Sequence, residues 1–371
     1  MENKLKKRFL DKFYDLFEAE EDLITEKNEK DYISLKNEIR NSIDRRVSTA
    51  TAIVQPLRRD MWFRYSAVAA VVAMMFGTAL FFNSSNDHAD ELAKADQTIK
   101  PGGNNAILTL ANGQQIILNN TQNGQIASQA GVTVVKTAEG LLTYVVDVVA
   151  GAGVETAAPL KNTITTPKGG EYSVVLPDGS EVHLNAASSL TYPAFFAKHD
   201  RSVELTGEAY FSVAKDAARP FKVSTGSHEV EVLGTRFNLN AYDNEASIKT
   251  TLEEGSVRIN DEGRTEQLSP GQQMVSGKGD NKVFLKRNVN VDKYIAWKNG
   301  FFTFEKDDLK SVMRQIARWY DVDVTYDGEV SARFSGELFK SSKLSTVLKI
   351  LEINGLNFQV KGKNIIVSQI N

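Results

Sequence analysis

Residues Tyr65 to Phe82 form an uncharged apolar run, YSAVAAVVAMMFGTALFF, that divides the chain into two very unequal parts. Eighteen such residues at about 1.5 Å rise give a helix of roughly 27 Å, close to a bilayer's hydrocarbon thickness. Arg58, Arg59 and Arg64 precede the run, and Asp87, Asp90 and Glu91 follow it. Because positive flanks stay cytoplasmic, the pattern predicts a single crossing with the N-terminus inside the cell and the C-terminus outside. Trp62, Phe63 and Tyr65 suit the headgroup region. A cleaved signal peptide would put its apolar segment near the N-terminus, whereas 64 residues come first here. A buried core helix seldom needs so long an apolar stretch. Within the run Ala69, Ala73 and Gly77 recur every fourth residue, a small-residue stripe along which two copies of the chain would pair as a homodimer.

The rest of the composition works mainly by exclusion. A formal net charge of −3 over 371 residues argues against a protein that coats nucleic acid. The absence of cysteine removes disulfides, thiolate metal sites and a cysteine nucleophile. His88, His183, His199 and His228 are scattered, with no HExxH and no i,i+4 pair. No Ser-His-Asp set or paired carboxylates stand out, so neither an enzyme nor a cofactor is expected.

The first 64 residues read as two amphipathic helices. Leu5, Phe9, Phe13, Leu16 and Phe17 share one face, and Tyr32, Leu35, Ile39 and Ile43 repeat the pattern. A segment this small buries little core alone. Its stripes serve either a helical hairpin packed on itself or a partner's groove.

Beyond the run, residues 83–104 read as a polar linker. Strand signals then dominate from 105 to 290. Leu110 to Asn119 (LANGQQIILN) is echoed by Leu176 to Asn185 (LPDGSEVHLN), each a strand, a tight turn and an alternating strand. Recurrent short strands broken by Gly, Pro, Asn and Asp predict an all-β sandwich or a solenoid-like stack. From 291 to 371 the pattern changes to β-α-β-β-α-β-β, a small α+β domain, whose first helix is expected to start at Asp307 as N-cap. The fold class expected for the whole chain is therefore multidomain: a helical N-terminal segment, one transmembrane helix, an all-β domain and a small α+β domain.

Five phrases then occur in order: Leu205–Val213 (LTGEAYFSV), Arg219-Pro220-Phe221, Val232–Asn238 (VLGTRFN), Thr250–Val257 (TTLEEGSV) and Leu268–Gln272 (LSPGQ). Over residues 165–275 they resemble the FecR family of membrane-anchored regulators of extracytoplasmic-function sigma factors. Trp297–Gly300, Phe302–Phe304, Arg318-Trp319-Tyr320 and Phe334-Ser335-Gly336 are similar to the secretin/TonB short N-terminal domain. The resemblance implies a single-pass inner-membrane anti-sigma factor with a cytoplasmic N-terminus and a periplasmic C-terminus. It would relay a signal from an outer-membrane TonB-dependent transducer, whose signalling domain would contact residues within Trp297–Asn371, to a cytoplasmic sigma factor held by residues 1–64. The alternative from a different class is a periplasmic ligand-binding or scaffold module on a membrane anchor, which exposed aromatics on one sheet face would favour. Read physically, Gly207, Gly234 and Gly255 sit where positive φ or close backbone approach is needed. Adjacent Glu253 and Glu254 point to opposite faces of a strand.

Overall fold

The computed structural model describes residues 94–119, 121–129, 132–137, 140–146, 160–278, 283–286 and 288–370. All lie within one compact unit, Ala79–Asn371. Six short strands come first: β1 (Gly103–Asn104), β2 (Ile107–Thr109), β3 (Gln115–Ile117), β4 (Gly124–Gln129), β5 (Val132–Lys136) and β6 (Leu142–Val146). The next group is β7 (Lys161–Thr166), β8 (Gly170–Val175), β9 (Glu181–Leu184), β10 (Ser188–Pro193), β11 (Arg201–Ser212), β12 (Phe221–Thr225) and β13 (His228–Val232). The sheet ends with β14 (Arg236–Ala241), β15 (Ser247–Glu254), β16 (Val257–Asp261), β17 (Arg264–Leu268), β18 (Gln273–Gly277) and β19 (Val283–Lys286).

These strands form one 19-stranded sheet curled on itself. One ladder runs β3-β2-β7-β10-β11-β12-β13-β16-β17. The other runs β4-β5-β6-β8-β9-β11-β14-β15-β18-β19. Strand β11 belongs to both. Its residues 201–206 pair with β10 and β12, and residues 207–212 pair with β9 and β14. The turn at Gly207 (φ +88°) lies at the changeover.

The echoed segments are the same hairpin turn made twice. Gly113 N donates to Leu110 O (2.8 Å) and Leu110 N to Gln114 O (2.9 Å); Gly179 N donates to Leu176 O (2.9 Å) and Leu176 N to Ser180 O (2.8 Å). In each turn a side-chain oxygen, of Asn112 or Asp178, accepts from the backbone N–H two residues on, the Asx geometry that favours these residues in turns. One hairpin joins β2 to β3, and the other joins β8 to β9 in the opposite ladder.

A core between the ladders takes Leu108, Ile164, Val203, Val223, Val230 and Ile259 from one side and Val174, Val182, Phe211, Phe237, Leu252 and Met274 from the other. The Phe211 and Phe237 rings stack at 4.9 Å between centroids. Each such fully buried side chain contributes about 1.5–3 kcal/mol relative to exposure.

A second core follows in the chain. Its elements are α1 (Val291–Ile295), a 3-10 turn (Ala296–Asn299), β20 (Phe301–Asp308), α2 (Leu309–Tyr320), β21 (Asp323–Asp327), β22 (Arg333–Phe339), α3 (Leu344–Glu352), β23 (Leu356–Lys361) and β24 (Asn364–Gln369). β20 pairs with β22, and β24 lies between β21 and β23. Helix α2 buries Leu309, Val312, Met313, Ile316, Trp319 and Tyr320, the spacing of one helical face. It starts one residue later than the sequence pattern indicates. Asp308 is the N-cap, accepting from Ser311 N. Asp307 is engaged instead by Lys293 Nζ and by Glu305 N.

Two expectations are corrected. The fold is mostly β, built around one large curled sheet, because a 12-residue strand serves both ladders. It is neither a pair of separate sheets nor a stack of solenoid coils, and the expected helical segment 1–64 lies outside the described residues. No helix among the described residues is long and apolar enough to cross a membrane. The longest of them, α2, has 12 residues and carries charge on its outer face, which makes about 18 Å at 1.5 Å per residue. The single-pass inner-membrane placement is therefore withdrawn, and the run 65–82 on which it rested lies outside the described residues.

Candidate functional site

The sheet and the second core meet through charged and aromatic side chains. The second half of β11 shows why. Residues 201–206 alternate between buried and exposed, whereas 207–211 are buried without interruption. Ala209 and Phe211 enter the sheet core. Glu208 and Tyr210, on the other face, are covered by the elements after residue 291. Glu208 Oε2 accepts from Asn185 Nδ2 (2.8 Å) and its Oε1 from Asn238 Nδ2 (2.9 Å). Asn238 Oδ1 in turn accepts from Trp297 Nε1 at 3.1 Å. Lys298 Nζ stands 4.6 Å above the Tyr210 ring.

Two further contacts close the junction. Glu245, in the turn between β14 and β15, takes Arg314 Nη2 at 2.6 Å and Arg318 Nη2 at 3.0 Å, both from α2. The Arg318 guanidinium also lies 3.9 Å over the Tyr242 ring, and the Tyr242 hydroxyl donates to Ala186 O (2.7 Å). Lys340, at the end of β22, reaches Glu171 Oε2 on β8 at 2.6 Å, with its ammonium 3.8 Å from the Trp319 ring. Burial lowers the Lys340 pKa, and Glu171 opposes that shift. Burial also raises the Tyr242 hydroxyl far above the usual tyrosine range, with the Glu208 charge adding to it.

Burial pushes the Glu245 carboxyl upward, but the hydrogen bond and charge of Arg314 together with Arg318 outweigh it and leave the pKa below its ordinary 4.5. A carboxylate whose folded-state pKa is depressed contributes stability that is present above its unfolded value and lost as pH falls through the folded value. Glu245→Gln is accordingly expected to cost on the order of 1–3 kcal/mol at neutral pH and to flatten the acid limb of stability below about pH 4.5. Denaturant unfolding at half-unit steps from pH 6 to pH 3 checks this. Equal acid slopes in both proteins would remove Glu245 from the account.

A cleft of about 340 Å³ opens at the junction, lined among others by Glu208, Asn240, Tyr294, Trp297 and Arg318. Its charges are largely consumed in pairs, including Lys293 with Asp307 and Arg318 with Glu245. Glu253 accepts the Tyr210 hydroxyl, while Glu254 pairs with Arg236 at 3.1 Å, so the adjacent glutamates serve different partners. His183 Nδ1 lies 2.7 Å from Ser173 Oγ. His228 is buried, with Nε2 3.1 Å from Thr250 Oγ1 and Nδ1 3.8 Å from Asp261; burial holds its pKa below 6.5 against the Asp261 charge. Among the described residues no group of three metal-ligating side chains comes together. The arrangement fixes the second core on the sheet.

Leu5, Phe9, Phe13, Leu16, Phe17, Tyr32, Leu35, Ile39 and Ile43, and the stripe of Ala69, Ala73 and Gly77, all lie outside the described residues. Within Trp297–Asn371 the structure separates two sets. Trp297, Arg314, Arg318 and Lys340 are turned to the sheet, whereas Phe339, Ile350, Ile353 and Ile370 are exposed. Sequence reasoning missed the charged members of the junction and also Arg201. Arg201 carried a usable signal, because it falls in phase with inward-facing Val203 and Leu205. Glu245 and Lys340 carried none, since each acquires its partner through tertiary contact.

The FecR protein family matches residues 162–258, and the FecR C-terminal family matches residues 301–367. The first span carries β11 with Glu208, and the second carries α2 and Lys340, so the junction lies between the two matched parts. Over these two stretches the chain is similar to the FecR family. Two crystal structures of a candidate anti-sigma factor from Parabacteroides distasonis, at 1.65 and 2.50 Å, are similar to it at 28% identity, with TM-scores of 0.53 and 0.54. The alignments cover 56% and 57% of this chain and 99% and 100% of those chains. No curated protein matches the chain.

Proposed function

We propose that this chain is a FecR-family anti-sigma factor acting on an extracytoplasmic-function sigma factor through residues 1–64. In this reading the signalling domain of a TonB-dependent receptor is recognised by the part beyond Trp297. The observation that carries the proposal is the pair of FecR matches joined by a charged, buried junction, in a chain similar to the crystallised chain of a candidate anti-sigma factor over 99% of that crystallised chain. The junction ties the sheet to the second core through Trp297, Arg314, Arg318 and Lys340, so a partner seated on one core meets side chains held by the other. Two apolar stripes within residues 1–64 supply side chains for a partner's groove.

The full chain should copurify with a sigma factor encoded beside it and lower transcription from that factor's promoters. Phe9→Asp with Phe13→Asp should abolish both effects. A chain that neither binds nor represses any sigma factor overturns the reading. The alternative of a ligand-binding module gains little from the sheet, where Tyr172, Tyr192, Tyr210, Phe211, Phe221 and Phe237 are all buried.

A further inference from the structure

The first described residues pack against the second core, although the sheet core is nearer in sequence. A helical turn occupies 94–98. Ala95 and Ile99 are buried there with Leu309, Val312, Leu344 and Leu348 of α2 and α3. Asp96 then acts at a distance of 249 residues: its Oδ1 accepts from Ser345 N (3.0 Å) and its Oδ2 from Ser345 Oγ (2.5 Å). Helix α3 has Lys343 at its N-cap position, and that side chain makes no cap bond. A helix start leaves backbone N–H groups without intrahelical partners and favours negative charge. Asp96 thus supplies the capping carboxylate that the helix's own sequence lacks.

The next residues run into the meeting point of both cores. A Cβ on Gly102 would lie 2.7 Å from Cε3 of Trp319, so the backbone passes flush against that ring. Gly103 N donates to Gly169 O (3.0 Å), and Gly169 N donates to Arg318 O (2.7 Å). Strand β1 pairs in parallel with the start of β8.

We propose that residues 94–104 are a releasable strap clasped by α3, so that the strap and the first turn of α3 order and open together. The stretch 94–99 packs on the second core and stands outside the sheet ladders. Its order depends on two apolar anchors and one carboxylate, which places it among the first elements to open. The clasp is reciprocal, because the same two hydrogen bonds order the strap and cap the helix. The proposal stands on packing alone, and its test uses no sigma factor.

Hydrogen exchange followed by mass spectrometry on the full chain tests it with Asp96→Ala and Ser345→Ala. Loss of a helix cap of typical strength corresponds to about fivefold faster opening. Asp96→Ala should therefore speed exchange about fivefold in the first turn of α3 as well as in 94–104. Ser345→Ala keeps the backbone N–H bond and should give a smaller rise in the same two places. Exchange in β11 and its neighbours should not change. An effect confined to the mutated side, or a rise spread evenly through the sheet, overturns the clasp.

Discussion

Replacing Arg201 with methionine is expected to cost about 3–5 kcal/mol, because it leaves a buried carboxylate without its cation. The Arg201 side chain is fully buried, and Nη1 meets Asp178 Oδ2 at 2.8 Å where only 3% of the aspartate side chain is exposed. Its Nε donates to Arg219 O (2.9 Å) and its Nη1 to Ala214 O (3.0 Å). One guanidinium therefore ties the start of β11 to the β8–β9 turn and to the loop that leads into β12. The Phe221 ring lies 5.5 Å from the guanidinium carbon. In the variant Asp178 would keep only the Ser180 N–H and hydroxyl, too few partners for a charge out of water. Urea unfolding of Arg201→Met, Asp178→Asn and the double variant reads the effect. The double variant should be less destabilised than the sum of the singles, since the orphaned charge is gone. A loss below about 1 kcal/mol in Arg201→Met, the range of an exposed pair, would show that the pair is not buried in solution.

What could be read from the sequence follows physical range. The two hairpin turns are local: Asn112-Gly113 and Asp178-Gly179 fix their own hydrogen bonds, and both stand where the pattern put them. The face of α2 follows from spacing alone, and its start shifts by one residue because Asp307 is drawn to Lys293, a contact no local rule contains. The sheet's closure was not legible. Alternation identifies inward positions but not which strands become neighbours, so a strand shared by two ladders looked like the material of separate sheets. In the candidate site, Arg318-Trp319-Tyr320 and Glu208 lie inside phrases that carried the family resemblance, yet the partners Glu245 and Glu171 are 73 and 169 residues from Arg318 and Lys340. Charge pairs at such separations leave no periodic trace.

Gly207 is where strand geometry and the candidate site meet, and Gly207→Ala is expected to cost about 2–5 kcal/mol by combining left-handed strain with overpacking. Its φ is +88°, and an added Cβ would lie 2.4 Å from Ser188 Oγ and 2.8 Å from Ser188 Cα. Ser188 cannot step aside easily. Its N–H donates to Thr166 Oγ1 (3.0 Å), and its Oγ accepts from Glu208 N (2.9 Å). Gly226→Ala is the control, since φ is +61° there but nothing lies within 4 Å of an added Cβ; it should cost about 1 kcal/mol from backbone strain alone. Unfolding midpoints of the two variants separate strain from close approach. If they fall equally, the contact with Ser188 contributes nothing and another feature sets the changeover of β11. If Gly207→Ala falls much further, the same backbone turn that moves β11 between ladders also aims Glu208 at Asn185 and Asn238, and the junction inherits its geometry from one glycine.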